Sequence, residues 1–344
     1  MQKINVLMTG GGAPGAPGII KCLLQADWIN LLIADADPEA TGRFMHPAFV
    51  QIPRASEDNF TEEVLRVCRQ HHIQVVLPLV TRELFPLSKA KEAFTAEGIK
   101  VLVSPAGAIE RANNKAACYQ YLAQKGVPVP RYHVVNTTED FIHAAYELGH
   151  PQQDFCFKPS ISNGSRGFRI VSDSIDESSQ LFDQKPYNTY IPYPIALGIL
   201  SAKPFPQLLV TEYLAGEEYS VDCLAQEGRA VLIVPRLRTK MINGISVKGT
   251  FVKDEAIIDY CRRVIEAIGL HGNIGIQVKK RASGEPLLLE INPRVQGTIV
   301  AALGAGVNLP LLALKQELGM PIELHELGVV WGTKFSRYWT EVFH

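Results

Sequence analysis

The sequence predicts an α/β protein whose N-terminal third is a parallel sheet with helices on both faces, followed by a larger α+β region. Three observations predict this. Up to about residue 103, short apolar runs alternate with amphipathic segments and turn residues. From Phe155 onward, β-rich runs separated by glycine turns take over. Near the C-terminus, 273–279 and 286–293 form an alternating strand pair about Ser283-Gly284.

The elements follow in order. Ile4 to Thr9 is a β-rich run, Gly10 to Gly18 a glycine and proline loop, and Ile19 to Ala26 a helix. Leu31 to Ala34 is the next strand, closed by Asp35 and Asp37. Thr61 to Gln70 carries Val64, Leu65 and Cys68 on one helical face, and Val75–Leu79 and Ile99–Val103 are buried strands. After a boundary near Ser104-Pro105, Asn113-Asn114-Lys115 opens a helix that Gly126 ends. Residues 183–207, rich in proline and tyrosine, read as an irregular loop. Leu208–Tyr213, Tyr219–Ala225 and Val231–Val234 are β-rich. Between Asp254 and Gly269, six apolar residues from Ile257 to Ile268 recur at helical spacing. The aromatic tail, with Trp331, Phe335, Tyr338, Trp339 and Phe343, reads first as a core-docking segment and second as a homodimer contact.

Composition narrows the function classes. The 344 residues need two or three packed lobes. A net charge of −1 offers no basic excess for a nucleic-acid partner. No apolar run is long enough to span a bilayer, and the first residues do not read as a signal peptide. The six scattered cysteines fit small core residues in a reducing cytoplasm.

Chemistry concentrates in three segments. In the C-terminal hairpin, Ile274, Ile276 and Val278 point one way and Gly275, Gln277 and Lys279 the other. A two-residue turn at Ser283-Gly284 pairs Ala282 with Glu285 and sets Gln277 opposite Glu290, with Cβ atoms about 5 Å apart. Asn292 lies on the same face, so a carboxylate and two amide oxygens gather where Mg²⁺ could be shared with nucleotide phosphates. Arg294 adds a fork that fits a phosphate. A polar strand edge is the plain alternative, but the wholly apolar run before Glu290 and the small Gly297-Thr298 loop after it favour a ligand site. In the second segment, a short strand from Phe155 delivers Lys158 to a loop with Gly164, Ser165 and Gly167, suited to phosphate oxygens. The alternative there is a surface turn with a snorkelling lysine. In the third, the strand ending at Glu212, Tyr213 and Leu214 offers backbone groups to an adenine edge, and Glu218 could accept from ribose hydroxyls; alone it equally fits an acidic hairpin rim.

Taken in this order, the segments resemble the ATP-grasp superfamily, nearest its carbamoyl-phosphate-synthase-like, carboxylate–amine ligase branch. The resemblance runs from the N-terminus to about Pro310 and is most specific at 289–294 with Gln277 upstream. It implies a Rossmann-like pre-ATP-grasp domain over 1–112 and a two-lobed ATP-grasp domain over 113–344, with a lid lobe over about 128–207 and a palm over about 208–344. It implies that Gln277, Glu290 and Asn292 hold two Mg²⁺ (or Mn²⁺) ions, and that Arg294 meets the transferred phosphate. Lys115 and Lys158 become the nucleotide-binding lysines, and Ser162–Gly167, with Ser165 and Gly167, the lid loop. Glu212, Tyr213 and Leu214 become the adenine hinge, and Glu218 the ribose-binding acid. Arg236, Arg238 and Lys240 resemble a basic loop facing phosphate or acceptor. The implied activity is ligation, with ATP activating a small-molecule carboxylate as an acylphosphate and an amine displacing phosphate. One repeat and no amidotransferase depart from carbamoyl phosphate synthase itself.

Two other readings compete. The Gly10–Gly18 loop mimics a dinucleotide fingerprint and suggests an NAD-dependent dehydrogenase, although Pro14 and Pro17 remove N–H groups that a pyrophosphate needs. A non-catalytic ATP-binding protein would keep the nucleotide residues without turnover.

Overall fold

The computed structural model describes residues 3–162, 166–183, 189–242 and 244–344. It divides into two compact units, one comprising 1–112, 217–278 and 289–344, the other 113–216 and 279–288.

The first unit opens with strands β1 (Ile4–Thr9), β2 (Ile29–Asp35), β3 (Phe49–Gln51), β4 (Val75–Pro78) and β5 (Lys100–Val101), all parallel in the order β3-β2-β1-β4-β5. Helices cover both faces, so Val6, Leu7 and Met8 are all fully buried. Val6 and Met8 enter one apolar cluster with Ile19 and Ile20, while Leu7 enters another with Phe60 and Val64. The expected strand Ile99–Val103 keeps ladder pairing only at Lys100–Val101.

The second unit holds β6 (Tyr132–Val135), β7 (Phe155–Pro159), β8 (Arg169–Val171), β9 (Tyr190–Ile191) and β10 (Leu208–Glu212), in the order β6-β10-β7-β8-β9. Its first helix, Lys115–Gln124, is capped by the Asn114 side chain, which accepts from the Ala117 amide at 3.1 Å. Residues 193–202 are a helix, where the sequence suggested irregular loop. Pro194 stands in its first turn, where its missing N–H costs nothing. Proline at this position starts a helix, so a proline-rich stretch need not be loop.

The remaining strands are β11 (Glu218–Gln226), β12 (Arg229–Ile242), β13 (Ile245–Phe251), β14 (Gly272–Lys280), β15 (Pro286–Asn292) and β16 (Lys334–Ser336), in the order β15-β14-β11-β12-β13-β16. The amphipathic helix is realised as Glu255–Ile268, with Asp254 accepting from the Ile257 amide and Gly269 ending it in a left-handed conformation. The tail departs from a core-docking segment. Trp331 and Phe335 pack against the first unit's core, but Tyr338, Trp339 and Phe343 are exposed. Among the described residues no single helix is long and apolar enough to cross a membrane.

Candidate active site

The C-terminal hairpin closes differently from the sequence expectation. The Arg281 amide donates to the Glu285 carbonyl, and the Gly284 amide to the Arg281 carbonyl, each at 2.9 Å. The loop therefore has three residues, Ala282, Ser283 and Gly284, with Gly284 at φ +90° where a side chain would be strained. The expected Ala282–Glu285 pair is replaced by Arg281–Glu285, which also form an ion pair at 2.6 Å. Counted from that closure along regular strands, Leu289 falls opposite Gln277. The strand is not regular, however. Leu287 and Leu288 are both buried and Leu289 and Glu290 both half-buried, before alternation resumes at Ile291 and Asn292. The closure therefore does not carry the expected pairing of Gln277 with Glu290, and the burial slip marks the strand as locally irregular between Leu287 and Glu290.

Glu290 and Asn292 share a face of β15 across the buried Ile291. The Asn292 side-chain amide donates to Glu290 Oε1 at 3.1 Å, leaving the Asn292 Oδ1 lone pairs turned away from that bond. On β14, Gln277 is half-buried between the fully buried Ile276 and Val278, so the predicted alternation holds there. Beside Gln277, Gly275 has no room for a side chain, since a Cβ would lie 1.8 Å from Gln296 Nε2. Glu290 and Asn292 bring one carboxylate and one amide oxygen together, hard ligands that fit a magnesium-sized ion sharing its shell with phosphates. No cluster of three His, Cys, Asp or Glu exists among the described residues to hold a metal by protein ligands alone.

Arg294 is held two ways. Its Nε donates to Thr81 Oγ1 at 3.0 Å and its Nη1 to the Val295 carbonyl at 2.8 Å. Burial lowers its pKa, and the charge of Glu290 opposes that shift. Arg238 donates to Glu218 and to Ser246 Oγ, so Glu218 is ion-paired here. Arg236 is fully buried, with Nη2 3.1 Å from Asp222 Oδ2 and 2.8 Å from Thr298 Oγ1, and its guanidinium lies over the Phe335 ring. Its Nε and Nη1 and Asp222 Oδ1 have no hydrogen-bond partner among the described residues. Thr298 follows Gly297, against which the glycine loop rests: a Cβ on Gly15 would lie 2.2 Å from the Gly297 Cα.

Four of that loop's N–H groups are already engaged, two within the loop and two on β2. Gly11 donates to the Ala34 carbonyl, Ala13 to Gly10 and Ala16 to Ala13. The Gly12 amide donates to Asp35 at 2.7 Å, and Asp35 also accepts from the Asp37 amide. A pyrophosphate would have to compete for these donors, and the acid that a dinucleotide ribose needs is already engaged.

In the second unit, Lys115 is buried, and its Nζ donates to the Ser162 carbonyl at 2.7 Å. Its backbone amide donates to Ser160, two residues beyond Lys158. Lys158 Nζ lies 5.9 Å from the centre of the Tyr119 ring, on the turn after Lys115, so helix start and strand end bring the two lysines into one neighbourhood. Gly167 packs against Pro159, next to Lys158. Ser165 lies outside the described residues. Glu212 accepts from the Arg131 amide and from Arg281, so its carboxylate is engaged within the unit. Tyr213 carries Lys279 Nζ over its ring at 4.7 Å, and burial pushes its phenol up to about 12. Leu214 is buried.

One residue escaped the sequence reading. Glu83 is buried in the first turn of the helix Thr81–Lys89 and accepts from Thr9 Oγ1 at 2.6 Å. In sequence it is one acid in an amphipathic helix, and only the tertiary fold reveals its burial.

Comparison with known proteins gives consistent findings. Residues 204–334 match the family described as ATP-grasp in the biosynthetic pathway with Ter operon, and residues 7–102 match the PylC-like N-terminal domain. The chain is 28% identical over 255 residues to the carbamoyl phosphate synthase large chain of Thermus thermophilus, a match covering 71% of this chain and 23% of that one. It is 28% identical over 195 residues to the uncharacterized protein y4rH of Sinorhizobium fredii, covering 55% of this chain and 37% of that one. It thus spans under two-fifths of these relatives' length. Among solved structures, the ADP complex of purK, an N5-carboxyaminoimidazole ribonucleotide synthetase, superposes with a TM-score of 0.70 at 12% identity, covering 96% of this chain and 80% of that one. The L-amino acid ligase of Bacillus licheniformis gives 0.62 at 18% identity, covering 95% and 76%.

Proposed function

We infer that this chain, which joins a PylC-like N-terminal domain to an ATP-grasp domain and is homologous to the carbamoyl phosphate synthase large chain, is an ADP-forming ligase. It would activate a small-molecule carboxylate with ATP and join it to an amine. The observation that carries the reading is the Glu290–Asn292 pair on one face of β15, with Arg294 fixed two residues on. Boundaries at 112/113 and a lid over about 128–207 with a palm over about 208–344 fit this reading.

In this mechanism Lys115 and Lys158 hold nucleotide phosphates, and the strand end Glu212–Leu214 meets adenine through its backbone. Glu218 would meet the ribose once its pairing with Arg238 yields. Glu290 and Asn292, together with Gln277, would hold Mg²⁺ or Mn²⁺, two ions in the full site. The metal supplies charge neutralisation on the phosphates. Arg294 presents its remaining guanidinium donors to the γ-phosphate as the carboxylate attacks, which stabilises the charge that develops there. Gly167 would serve in a loop that excludes water from the acylphosphate, the role that the family resemblance also gives Ser165. The exposed Tyr338, Trp339 and Phe343 offer apolar surface to a second copy of the chain.

A coupled assay for ADP over a panel of carboxylates and amines tests the reading. Mg-ATP should raise the melting temperature, and NAD should not. No ADP from any pair, despite ATP binding, would favour a non-catalytic nucleotide-binding protein.

A further inference from the structure

We infer that Glu83 receives the ammonium group of the amine substrate at the carboxyl edge of the N-terminal sheet and takes its proton as the amine becomes a nucleophile. This rests on the ligase reading above.

The strand order supplies the place. From β1 the chain winds outward to β2 and β3 on one side, and β4 and β5 lie on the other. In an open parallel sheet, ligands bind beyond the carboxyl ends of the strands at this reversal, here between β1 and β4. Thr9 is the last residue of β1, and Glu83 sits five residues after the last residue of β4. The hydrogen bond between them spans the reversal point.

The chemistry supplies the ligand. Glu83 is 6% exposed, and no Lys, Arg or His lies within ion-pair distance among the described residues. A buried carboxylate without a cation is costly, and the Thr9 hydroxyl and Val80 amide offset only part of that cost. The other charged groups around it sharpen the contrast. Asp35, at the end of β2, adds a second negative charge, and Arg82 on the same turn is exposed. Arg294 reaches this turn through Thr81. One helical turn thus carries the carboxylate and anchors the guanidinium assigned to phosphate. Burial, reinforced by Asp35, raises the Glu83 pKa to about 7, and Thr9 and the Val80 amide oppose the rise. A group that titrates near neutrality can take a proton and release it again.

The step balances. Glu83 carboxylate takes one proton from the ammonium. The amine lone pair forms the C–N bond to the acyl carbon, and the C–O bond to phosphate breaks with its electron pair going to oxygen. The second nitrogen proton leaves with the phosphate, giving amide, hydrogen phosphate and protonated Glu83.

The test measures phosphate release by the full chain with Mg-ATP and each of the twenty proteinogenic amino acids as carboxylate probe. The nucleophile is either hydroxylamine, which is largely unprotonated near pH 7, or ammonium chloride. In Glu83→Gln the ratio of ammonium-dependent to hydroxylamine-dependent release should fall about a hundredfold near pH 7 and recover at higher pH as free ammonia accumulates. In Thr9→Val the acid limb of the ammonium profile should move to higher pH, because a donor to the carboxylate is gone. An unchanged ratio in Glu83→Gln, or a loss that is the same at every pH, overturns the inference. Failure of the wild-type chain to form a hydroxamate with any probe overturns the ligase reading, and the inference with it.

Discussion

Glu290 is half-buried, and its side chain meets the amide of Asn292. Its removal should therefore cost little stability and much activity. Glu290→Ala is expected to reduce ADP formation by about 10²-fold or more, while unfolding free energy shifts by about 0.5 kcal/mol or less. Steady-state assays paired with urea denaturation check both halves. Arg236 should behave in the opposite way. Its partner Asp222 is fully buried, and burial raises the Asp222 pKa while Arg236 lowers it. Arg236→Met strands that carboxylate and is expected to cost about 3–5 kcal/mol. Adding Asp222→Asn should recover part of the loss, which urea denaturation of both variants would show. The difference in legibility is instructive. Glu-x-Asn on an apolar strand could be read from its neighbours in sequence, because period-2 alternation fixes a shared face. Arg236 and Asp222 lie on neighbouring strands, and Glu83 and Thr9 are 74 residues apart. No local pattern marks these pairings.

At the scale of elements, long periodic segments were legible and turns were not. Six apolar residues at helical spacing fixed the helix Glu255–Ile268, since only that conformation puts them on one side. The hairpin at Ser283-Gly284 is legible in its place but not in its loop length, which is three residues. Two- and three-residue loops differ in where the left-handed glycine sits, and sequence spacing does not separate them. Each change of one residue turns the following strand over, which is why the burial slip at Leu287–Glu290 matters for the site. The glycine loop makes a sharper claim. Gly15 meets the Gly297 backbone, which cannot rotate aside as a flexible side chain could. Gly15→Ala is expected to destabilise by about 1–3 kcal/mol through this overpacking. It should also disturb Thr298 and hence Arg236, so a loss of carboxylate-dependent ADP formation should accompany the fall in melting temperature.

For the whole molecule, the fold class was legible because a sheet covered on both faces needs continuous apolar strands, and Val6, Leu7 and Met8 supply them. What such a fold does with Glu83, a buried carboxylate that no cation accompanies among the described residues, shows in the pH dependence of stability. Glu83 has a folded pKa of about 7 against an ordinary value of 4.5. The folded state therefore holds the proton more tightly than the unfolded chain between these values. Its contribution is most favourable below the unfolded pKa, and it is lost as pH rises toward and past 7. The full difference is on the order of 3 kcal/mol. The ligand-free protein should accordingly gain stability from this group as pH falls from 8 toward 5, against whatever other groups contribute. Glu83→Gln removes the ionisation and keeps the volume. Its unfolding free energy should exceed that of the wild type at pH 8 and approach it near pH 5, as denaturant titrations at both pH values would measure. A variant no more stable at pH 8 would mean that the buried carboxylate is compensated in solution. If the variant is more stable and at the same time poorer with ammonium, the cost of burying Glu83 and the capture of the amine are two expressions of one charge without a cation.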